Sequence, residues 1–320
     1  MKTCVWKEYR LSQLMLGTVQ FGLTYGIANR VGQPSYRQVL DILTAALEAG
    51  VNCLDTAAIY GTSEEVIGRA LSDLGIADRM IVVTKVEPLA PVAHSPQAAA
   101  KAIADCVERS LKRLRLEVLP FVLFHNEEDA VFMDALLELK AKGRVRHAGV
   151  SCKNRPEPAT ALLAAGTIEA MQLPVNVLDR RHPDSGVLRT AAAQGVAVFV
   201  RSVYLQGLLL MPEGAIPDDL RDVLPVRRNL ERIASKAGMG MAELAMRYIL
   251  SLDGATCVLT GVDSVEQLLT NLRLFGRGSL DPDLVKAVET AAPELPEAIV
   301  TPWMWKHQAR FSKEVKTDEQ

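Results

Sequence analysis

Eight short apolar runs alternate with longer helix-like segments along this chain, and this alternation is the strongest constraint on its fold. Runs that are almost continuously apolar are typical of parallel strands buried on both faces of a sheet. The runs lie at residues 14–16, 51–54, 80–84, 118–124, 145–150, 170–173, 196–200 and 256–259. Eight strands interleaved with helices predict an α/β fold of the (β/α)8 TIM-barrel type, formed as a single domain over residues 1–320.

Glycines mark where several of the intervening helices should end. Gly50, Gly143 and Gly195 each follow a helix-like segment, and glycine readily adopts the left-handed backbone conformation that closes a helix. No Gly-x-Gly-x-x-Gly motif follows any of the apolar runs. The absence of that motif argues against a doubly wound, Rossmann-type sheet.

The composition excludes several classes of protein. The 36 Lys and Arg nearly balance the 38 Asp and Glu, so the basic surplus of a nucleic-acid-binding protein is missing. No apolar run reaches the roughly 18 to 20 residues that span a bilayer, and the first residues are too polar for a signal peptide. Five scattered cysteines without a Cys-x-x-Cys motif fit neither a disulfide framework nor a zinc site. We therefore expect a cytoplasmic protein with no metal, nucleic-acid or membrane partner.

Two irregular stretches interrupt the alternation of strands and helices. One is a long loop over residues 205–225, and the other is the proline-rich tail over residues 293–320. Long loops in compact domains often serve as lids or binding loops, so both stretches are expected to cover one end of the barrel. In the tail, Trp303 and Trp305 either line a substrate pocket or hold the tail against the barrel.

Four residues that transfer or tune protons follow consecutive predicted strands. Asp55 and Tyr60 follow the second run, Lys85 follows the third, and His125 follows the fourth. Active sites of (β/α)8 barrels lie at the carboxyl ends of the strands, so these four side chains should meet there. Taken singly, each has an ordinary structural explanation, such as a turn-forming Asp or a packed Tyr. Their coincidence at one rim instead favours acid–base chemistry.

This set of residues suits the reduction of a carbonyl group or the reverse oxidation. Tyr60 would donate a proton to the substrate oxygen as hydride reaches the carbon, and His125 would orient that oxygen. A free tyrosine has a pKa near about 10, and a nearby ammonium group lowers it. We expect Lys85 to lower the pKa of Tyr60 in this way, with Asp55 holding the Lys85 ammonium in place.

The segment GVNCLDTAAIYGTSEEVIGRAL, residues 50–71, closely resembles the signature of the aldo-keto reductases. The segments VVTK before Val86, LFHN around His125 and GVS at residues 149–151 are also similar to family segments, in family order. So are residues 16–18 and 258–272. The resemblance implies a barrel that binds NADP(H) or NAD(H) without a Rossmann domain and without a metal. It also implies a catalytic tetrad of Asp55, Tyr60, Lys85 and His125.

The resemblance further implies a set of residues that bind the cofactor. Gly17, Thr18 and Asp55 would lie beside the nicotinamide ribose, and Ser151 and Gln172 would hold the carboxamide. The remaining matched positions are Cys152 and Arg201 near the nicotinamide, Ser202, Leu205 and Gly207 in the pyrophosphate loop, and Gly261, Asp263, Ser264, Gln267 and Asn271 at the adenosine end.

Three of these positions depart from the pattern of many relatives. Cys152 stands where Asn is frequent, and Arg201 stands where an aromatic ring often stacks on the nicotinamide. A guanidinium plane also stacks on such rings. Asp263 lies where NADPH-preferring relatives often carry Lys or Arg, so it favours NAD(H) by accepting a hydrogen bond from a free 2′-hydroxyl. The alternative is that Asp263 caps the following helix, with Glu266 completing a capping box.

The sequence therefore predicts an NAD(P)(H)-dependent oxidoreductase that interconverts an aldehyde, ketone or sugar with the corresponding alcohol. Polar loop residues at Gln20, Asn126 and Gln206 favour a hydroxylated, sugar-like small-molecule substrate. A second hypothesis is a cofactor-binding regulatory subunit with little turnover, like the β-subunits of potassium channels. A third is an unrelated barrel lyase that uses Lys85 as a Schiff-base amine.

Overall fold

The computed structural model describes residues 1–306, which form a closed barrel of eight parallel strands. A two-stranded hairpin precedes the barrel. The strands, in chain order, are β1 Thr3–Trp6, β2 Tyr9–Ser12, β3 Leu14–Gly17, β4 Cys53–Asp55, β5 Ile81–Val86, β6 Leu119–Phe124, β7 Val145–Ser151, β8 Ala170–Pro174, β9 Ala197–Arg201 and β10 Cys257–Gly261. The barrel runs from β3 through β9 in sequence and closes where β10 pairs with both β9 and β3. The predicted TIM-barrel fold is confirmed, because each of the eight apolar runs contributes one barrel strand.

Helices surround the barrel. They are α1 Tyr36–Glu48, α2 Ser63–Leu74, α3 Pro96–Leu114, α4 Met133–Ala141, α5 Pro156–Ala165, α6 Arg181–Asp184, α7 Val187–Ala193, α8 Leu224–Lys236, α9 Met241–Leu250, α10 Val265–Gly276, α11 Pro282–Ala291 and α12 Glu297–Val300. Gly50, Gly143 and Gly195 have φ values of 81°, 73° and 71°, which confirms them as helix terminators. Within residues 1–306, no helix has both the length and the apolar character needed to cross a membrane.

The β1–β2 hairpin was not predicted, and it closes the amino-terminal end of the barrel. Its strands join through a two-residue turn in which Lys7 is left-handed, with φ 47°. Trp6 and Leu11 are buried in the cluster that fills the barrel interior, together with Phe121 and other strand residues. The Trp6 indole donates a hydrogen bond of 2.9 Å to the carbonyl of Gly195, just before β9. The hairpin therefore leaves only the carboxyl ends of the strands open for a site.

The long loop after β9 is partly ordered into short 3₁₀ turns. These turns are Leu205–Gly207, Glu213–Ala215 and Asp218–Val223, and α8 begins directly after them. In the tail, α12 contacts the 3₁₀ turn Asp218–Val223. Trp305 is buried and donates a hydrogen bond of 3.1 Å to the carbonyl of Ile299, whereas Trp303 is exposed. Trp305 thus holds the tail in place; residues 307–320 of the predicted cover lie outside the described part of the chain.

Candidate active site

The barrel register brings the predicted proton-transfer residues to one rim. Gly17 at the end of β3 pairs with Asp55 at the end of β4 and with Gly261 at the end of β10. Lys85 lies near the end of β5, and His125 directly follows β6. Because parallel strands of one barrel end on the same side, residues far apart in sequence become neighbours here.

Asp55 and Lys85 form a buried ion pair. The Lys85 Nζ donates to Asp55 Oδ1 at 2.7 Å and to the carbonyl of Thr56 at 2.8 Å. The two side chains are only 1% and 5% exposed, for Lys85 and Asp55 respectively. Burial lowers the pKa of Lys85 below its usual value, and the Asp55 carboxylate opposes that shift. The ammonium form therefore depends on Asp55.

Two further hydrogen bonds connect this ion pair to Gln172 and Ser151 at the same rim. The Gln172 amide donates to the same Oδ1 of Asp55 at 2.7 Å. The Ser151 hydroxyl in turn donates to Gln172 Oε1 at 3.4 Å. Ser151 and Gln172 are both buried, so the two residues predicted to hold the nicotinamide carboxamide form a hydrogen-bonded chain that ends at Asp55.

Tyr60 and His125 face each other at the open side of the ion pair. Their ring centroids lie 6.0 Å apart with the planes nearly perpendicular, and the Lys85 Nζ lies 5.3 Å from the centre of the Tyr60 ring. Burial, and then the positive charges of Lys85 and Arg201, lower the pKa of His125 to about 3. The imidazole is therefore neutral near pH 7. Its Nδ1 is buried and has no hydrogen-bond partner among residues 1–306.

The pKa of Tyr60 does not follow the expectation from the sequence. Burial, and next the negative charge of Asp55, raise the pKa of the phenol above its usual value, and Arg201 only partly opposes them. The prediction that Lys85 lowers this pKa is wrong. The reason is that burial of the phenol, and then the Asp55 carboxylate that pairs with the Lys85 ammonium, act in the opposite direction. Tyr60 is thus held in the protonated form, which can donate a proton.

Arg201 is held at the end of β9 by two hydrogen bonds. Its guanidinium donates to the carbonyl of Cys152 at 3.0 Å and to the Ser202 hydroxyl at 3.2 Å. The thiol of Cys152 is buried, and burial raises its pKa, so it is not an activated nucleophile. The Arg201 charge lies close enough to Tyr60, Lys85 and His125 to lower the pKa of each.

Thr18 and its neighbours shape the backbone on the other side of Asp55. The Thr18 hydroxyl donates to the carbonyl of Asp55 at 2.7 Å, and the Ser63 hydroxyl donates to the carbonyl of Thr18 at 2.8 Å. A Cβ added to Gly17 would lie 2.9 Å from a methyl of Leu259. Glycine at this position thus permits a close approach of β3 and β10.

Buried polar atoms that lack partners lie in the turn after β3 and at the end of β10, where a bound polar ligand would supply hydrogen bonds. Within residues 1–306, Gln20 Oε1, Thr260 Oγ1 and Asp263 Oδ1 are buried without a hydrogen bond. A Cβ added to Gly261 would lie 2.7 Å from the Gln20 amide nitrogen. Unpaired buried groups are costly unless a ligand satisfies them. Gln20 and Thr260 were not predicted as cofactor residues, and no local pattern identifies them.

The structure at the amino terminus of α10 rules out the prediction that Asp263 caps this helix together with Glu266. The N-cap is Ser264, whose hydroxyl accepts a hydrogen bond from the Gln267 backbone. The Gln267 side chain accepts one from the Asp263 backbone nitrogen at 2.8 Å. The capping pair is therefore Ser264 with Gln267, and not Asp263 with Glu266. Burial raises the pKa of the Asp263 carboxyl, as expected for a group that lacks a strong partner.

The loop after β9 carries three non-glycine residues with left-handed backbone. They are Ser202, Leu205 and Gln206, with φ values of 67°, 46° and 54°. Such conformations are strained outside glycine and often occur at functional sites. Farther along this rim, Asn271 accepts a hydrogen bond of 3.3 Å from the Tyr204 hydroxyl. Gly207 approaches the loop after β3 closely, since an added Cβ would lie 2.4 Å from the Cβ of Ala28.

The sequence model of the Aldo/keto reductase family matches residues 13–293. The chain belongs to the aldo/keto reductase family. The matched range contains all eight barrel strands and every residue of the rim described above. The family assignment made from the motifs in residues 50–71 is therefore confirmed.

Curated relatives and solved structures agree with this assignment. An uncharacterized oxidoreductase of Mycobacterium tuberculosis is 30% identical over 290 residues, covering 82% of this chain and 84% of that protein. A probable voltage-gated potassium channel subunit beta of rice, Oryza sativa, is 25% identical, covering 90% and 95% of the two chains. The holo form of an aldo-keto reductase from Bacillus halodurans superposes with a TM-score of 0.74 at 24% identity, over 94% and 99% of the chains. That structural likeness concerns the fold. Together with family membership, the oxidoreductase relatives support an enzyme that acts between carbonyl groups and alcohols.

Proposed function

We propose that this protein is an NAD(P)(H)-dependent oxidoreductase that interconverts a carbonyl and an alcohol, with Tyr60 as the general acid and base. The observation that carries the proposal is the arrangement around Tyr60. The Lys85 Nζ of the buried Lys85–Asp55 ion pair lies 5.3 Å from the centre of the Tyr60 ring, and the centre of the neutral His125 ring lies 6.0 Å from it.

Each member of this group has a separate task in the reaction. When bound, the dinucleotide supplies the hydride for reduction and accepts it in the reverse direction. Tyr60 gives its phenolic proton to the substrate oxygen, so that a carbonyl carbon and oxygen gain one hydride and one proton. His125, as a neutral imidazole, donates a hydrogen bond that orients the same oxygen. Lys85 stabilises the phenolate that Tyr60 becomes, and Asp55 keeps Lys85 charged.

The residues at the rim support a dinucleotide as the cofactor. Ser151 and Gln172 would hold a carboxamide, and Arg201 would lie against the nicotinamide plane. Gly17 and Thr18 would lie beside the ribose, with Ser202, Leu205 and Gly207 around the phosphates. At the adenosine end the residues are Gly261, Asp263, Ser264, Gln267 and Asn271. The unpaired Oδ1 of Asp263 favours NAD(H), because a carboxylate accepts a hydrogen bond from a 2′-hydroxyl and repels a 2′-phosphate.

The substrate is proposed to be a small polar carbonyl compound or sugar. The alternative function is a cofactor-binding subunit with little turnover, and one observation favours it: the rice relative is named as a potassium channel subunit beta. Rapid, Tyr60-dependent reduction would exclude that alternative. Slow reduction with tightly retained cofactor would support it.

The first experiment is a fluorescence titration with NADH and NADPH, followed by steady-state reduction of aldehydes. We expect NADH to bind more tightly than NADPH. Tyr60→Phe should keep cofactor affinity and lose activity by about 10²- to 10⁴-fold, the usual contribution of a positioned acid. Tyr36→Phe is the matched control, because the Tyr36 hydroxyl bonds Asp73 on α2, away from the rim. Equal activity of Tyr60→Phe and the control would contradict the proposal.

A further inference from the structure

The loop after β3, residues 22–34, lies over the rim between the turn at Tyr60 and the loop after β9. A Cβ added to Gly22 would lie 1.9 Å from the carbonyl oxygen of Tyr60. A Cβ added to Gly61 would in turn lie 2.4 Å from the carbonyl oxygen of Gly22. On its other side, this loop contacts the loop after β9, because Ala28 lies close to Gly207. The loop is thus packed on both sides and contacts the backbone of the turn that carries Tyr60.

Hydrogen bonds inside this loop give it a defined shape. The Asn29 side-chain amide donates to the carbonyls of Tyr25 and Gly32 at 3.3 and 3.2 Å. Its carbonyl oxygen accepts from the backbone of Val31 and Gly32 at 3.0 and 2.8 Å. The Gln33 amide donates to the carbonyl of Phe21. These bonds hold the loop backbone in one shape.

Tyr25 connects this loop with the strained turn after β9. The Gln206 amide donates a hydrogen bond of 2.9 Å to the Tyr25 hydroxyl oxygen, across 181 positions of sequence. Gln206 is itself held in a left-handed conformation. Gln206 is the donor of this hydrogen bond, so the bond does not use the hydroxyl hydrogen of Tyr25. An oriented phenol with a free donor is a ready recognition group.

Tyr25 shares its surroundings with the catalytic rim. Burial, and then the proximity of Tyr60, raise the pKa of Tyr25 to about 12, while the Arg201 charge acts in the opposite direction. Tyr25 is therefore a protonated donor over the whole range in which the enzyme would work. It is distinct from the proposed tetrad and is not among the residues implied by the family motifs.

We propose that Tyr25 determines substrate specificity by donating a hydrogen bond to a hydroxyl oxygen next to the reacting carbonyl. The inference rests on the proposed carbonyl reductase function and deepens it. The preferred substrates are then α-hydroxy aldehydes and aldoses rather than simple alkyl aldehydes. Tyr25 is a specificity residue and takes no part in the proton transfer from Tyr60.

The test compares 2-hydroxypropanal with propanal, which differ by one hydroxyl group. We expect the wild-type enzyme to have the higher kcat/KM for 2-hydroxypropanal. Tyr25→Phe keeps the ring and removes only the donor, so the ratio of the two kcat/KM values should fall about tenfold, as for one neutral hydrogen bond. Propanal reduction should change less than about twofold. Tyr36→Phe, on the outer helix α1, should leave the ratio unchanged.

Three results would overturn the inference. An unchanged ratio in Tyr25→Phe would show that the phenol does not recognise the hydroxyl. An equal loss with both aldehydes, together with weaker NADH binding, would assign Tyr25 to cofactor binding. If the wild-type enzyme binds NADH but reduces neither aldehyde, the proposed function fails, and this inference falls with it. Thermal melting of both variants checks that each remains folded.

Discussion

At the residue scale, the buried Asp55–Lys85 ion pair is the feature of the site that loses the most hydration free energy on folding. Two opposite charges are removed from water, and their attraction offsets the loss of hydration only while both partners and their hydrogen bonds remain. Lys85 also donates to the Thr56 carbonyl, and Asp55 also accepts from Gln172. The arrangement holds one ammonium group beside Tyr60 in a dry environment. That is the charge that a tyrosine needs if it is to release and recover a proton.

Asp55→Asn should therefore destabilise the protein in a pH-dependent way. The variant leaves the Lys85 ammonium buried without a counter-ion, and we expect the free energy of unfolding near pH 7 to fall by about 3–5 kcal/mol. The loss of Asp55 lowers the folded-state pKa of Lys85 further below the unfolded value of 10.5. The unfolded state then binds more protons, so the stability of the variant rises as pH increases towards that value.

Urea unfolding at about pH 7 and about pH 9.5 measures this effect. Asp105→Asn is the control, because Asp105 forms an exposed ion pair with Lys101 on α3 and should change stability little at either pH. If Asp55→Asn lowers the free energy of unfolding by as much at the higher pH as at the lower pH, the assigned role of the ion pair is contradicted.

At the element scale, the β1–β2 hairpin and the helix α4 are tied to the base of the barrel by one carboxylate. Glu169, just before β8, forms ion pairs with Lys7 of the hairpin turn and with Lys140 of α4. It also bonds His147 of β7 at 3.2 Å. Burial on its own would raise the pKa of Glu169. The hydrogen bonds from Lys140, Lys7 and His147 outweigh burial and lower that pKa to about 2.

Glu169→Gln should accordingly lower stability, with the largest loss near neutral pH. A depressed pKa contributes stability that is present above the unfolded value of 4.5 and is lost as pH falls towards about 2. With allowance for solvent at the partly exposed base, we expect a loss of about 2 kcal/mol near pH 7. At pH 4 the difference in unfolding free energy between the wild type and the variant should be smaller by about 1 kcal/mol. Urea unfolding of the variant beside Glu138→Gln, an exposed carboxyl on α4, measures the difference, and a pH-independent loss would contradict it.

At the scale of the whole molecule, closure of the barrel makes every strand depend on two neighbours. The first and last barrel strands, β3 and β10, pair directly, and the tail packs against the loop after β9. We propose that residues 1–306 form one domain in which the loop 205–225 and the described part of the tail, residues 293–306, cover the open end of the barrel. Chemical unfolding should then be one cooperative transition, with coincident midpoints by far-UV circular dichroism and tryptophan fluorescence. Two separated transitions would indicate two folding units.

Much of this molecule follows from local patterns in the chain. Each barrel strand is recognisable in the sequence because a strand buried on both faces must be apolar along its length. The glycines that end helices are recognisable because few other residues adopt positive φ readily. Once eight strands are placed, the ends of β4, β5 and β6 bring Asp55, Lys85 and His125 together. The proposed tetrad is thus predictable from the sequence, because strand ends in a barrel share one rim.

Other features depend on contacts that no local pattern contains. The bond between Gln206 and Tyr25, the approach of Gln20 to Gly261, and the anchoring of Arg201 by Cys152 each join segments that are distant in sequence. The pKa of Tyr60 belongs to this group as well, because burial and the field of Asp55 arise only when the barrel closes. Short-range patterns therefore determine the strands and the helix ends and place the residues of the proposed tetrad at strand ends. The burial of these side chains, the charges that shift their pKa values and the contacts of the loops above the rim are decided only by the packing of the complete fold, because they join segments that are distant in sequence.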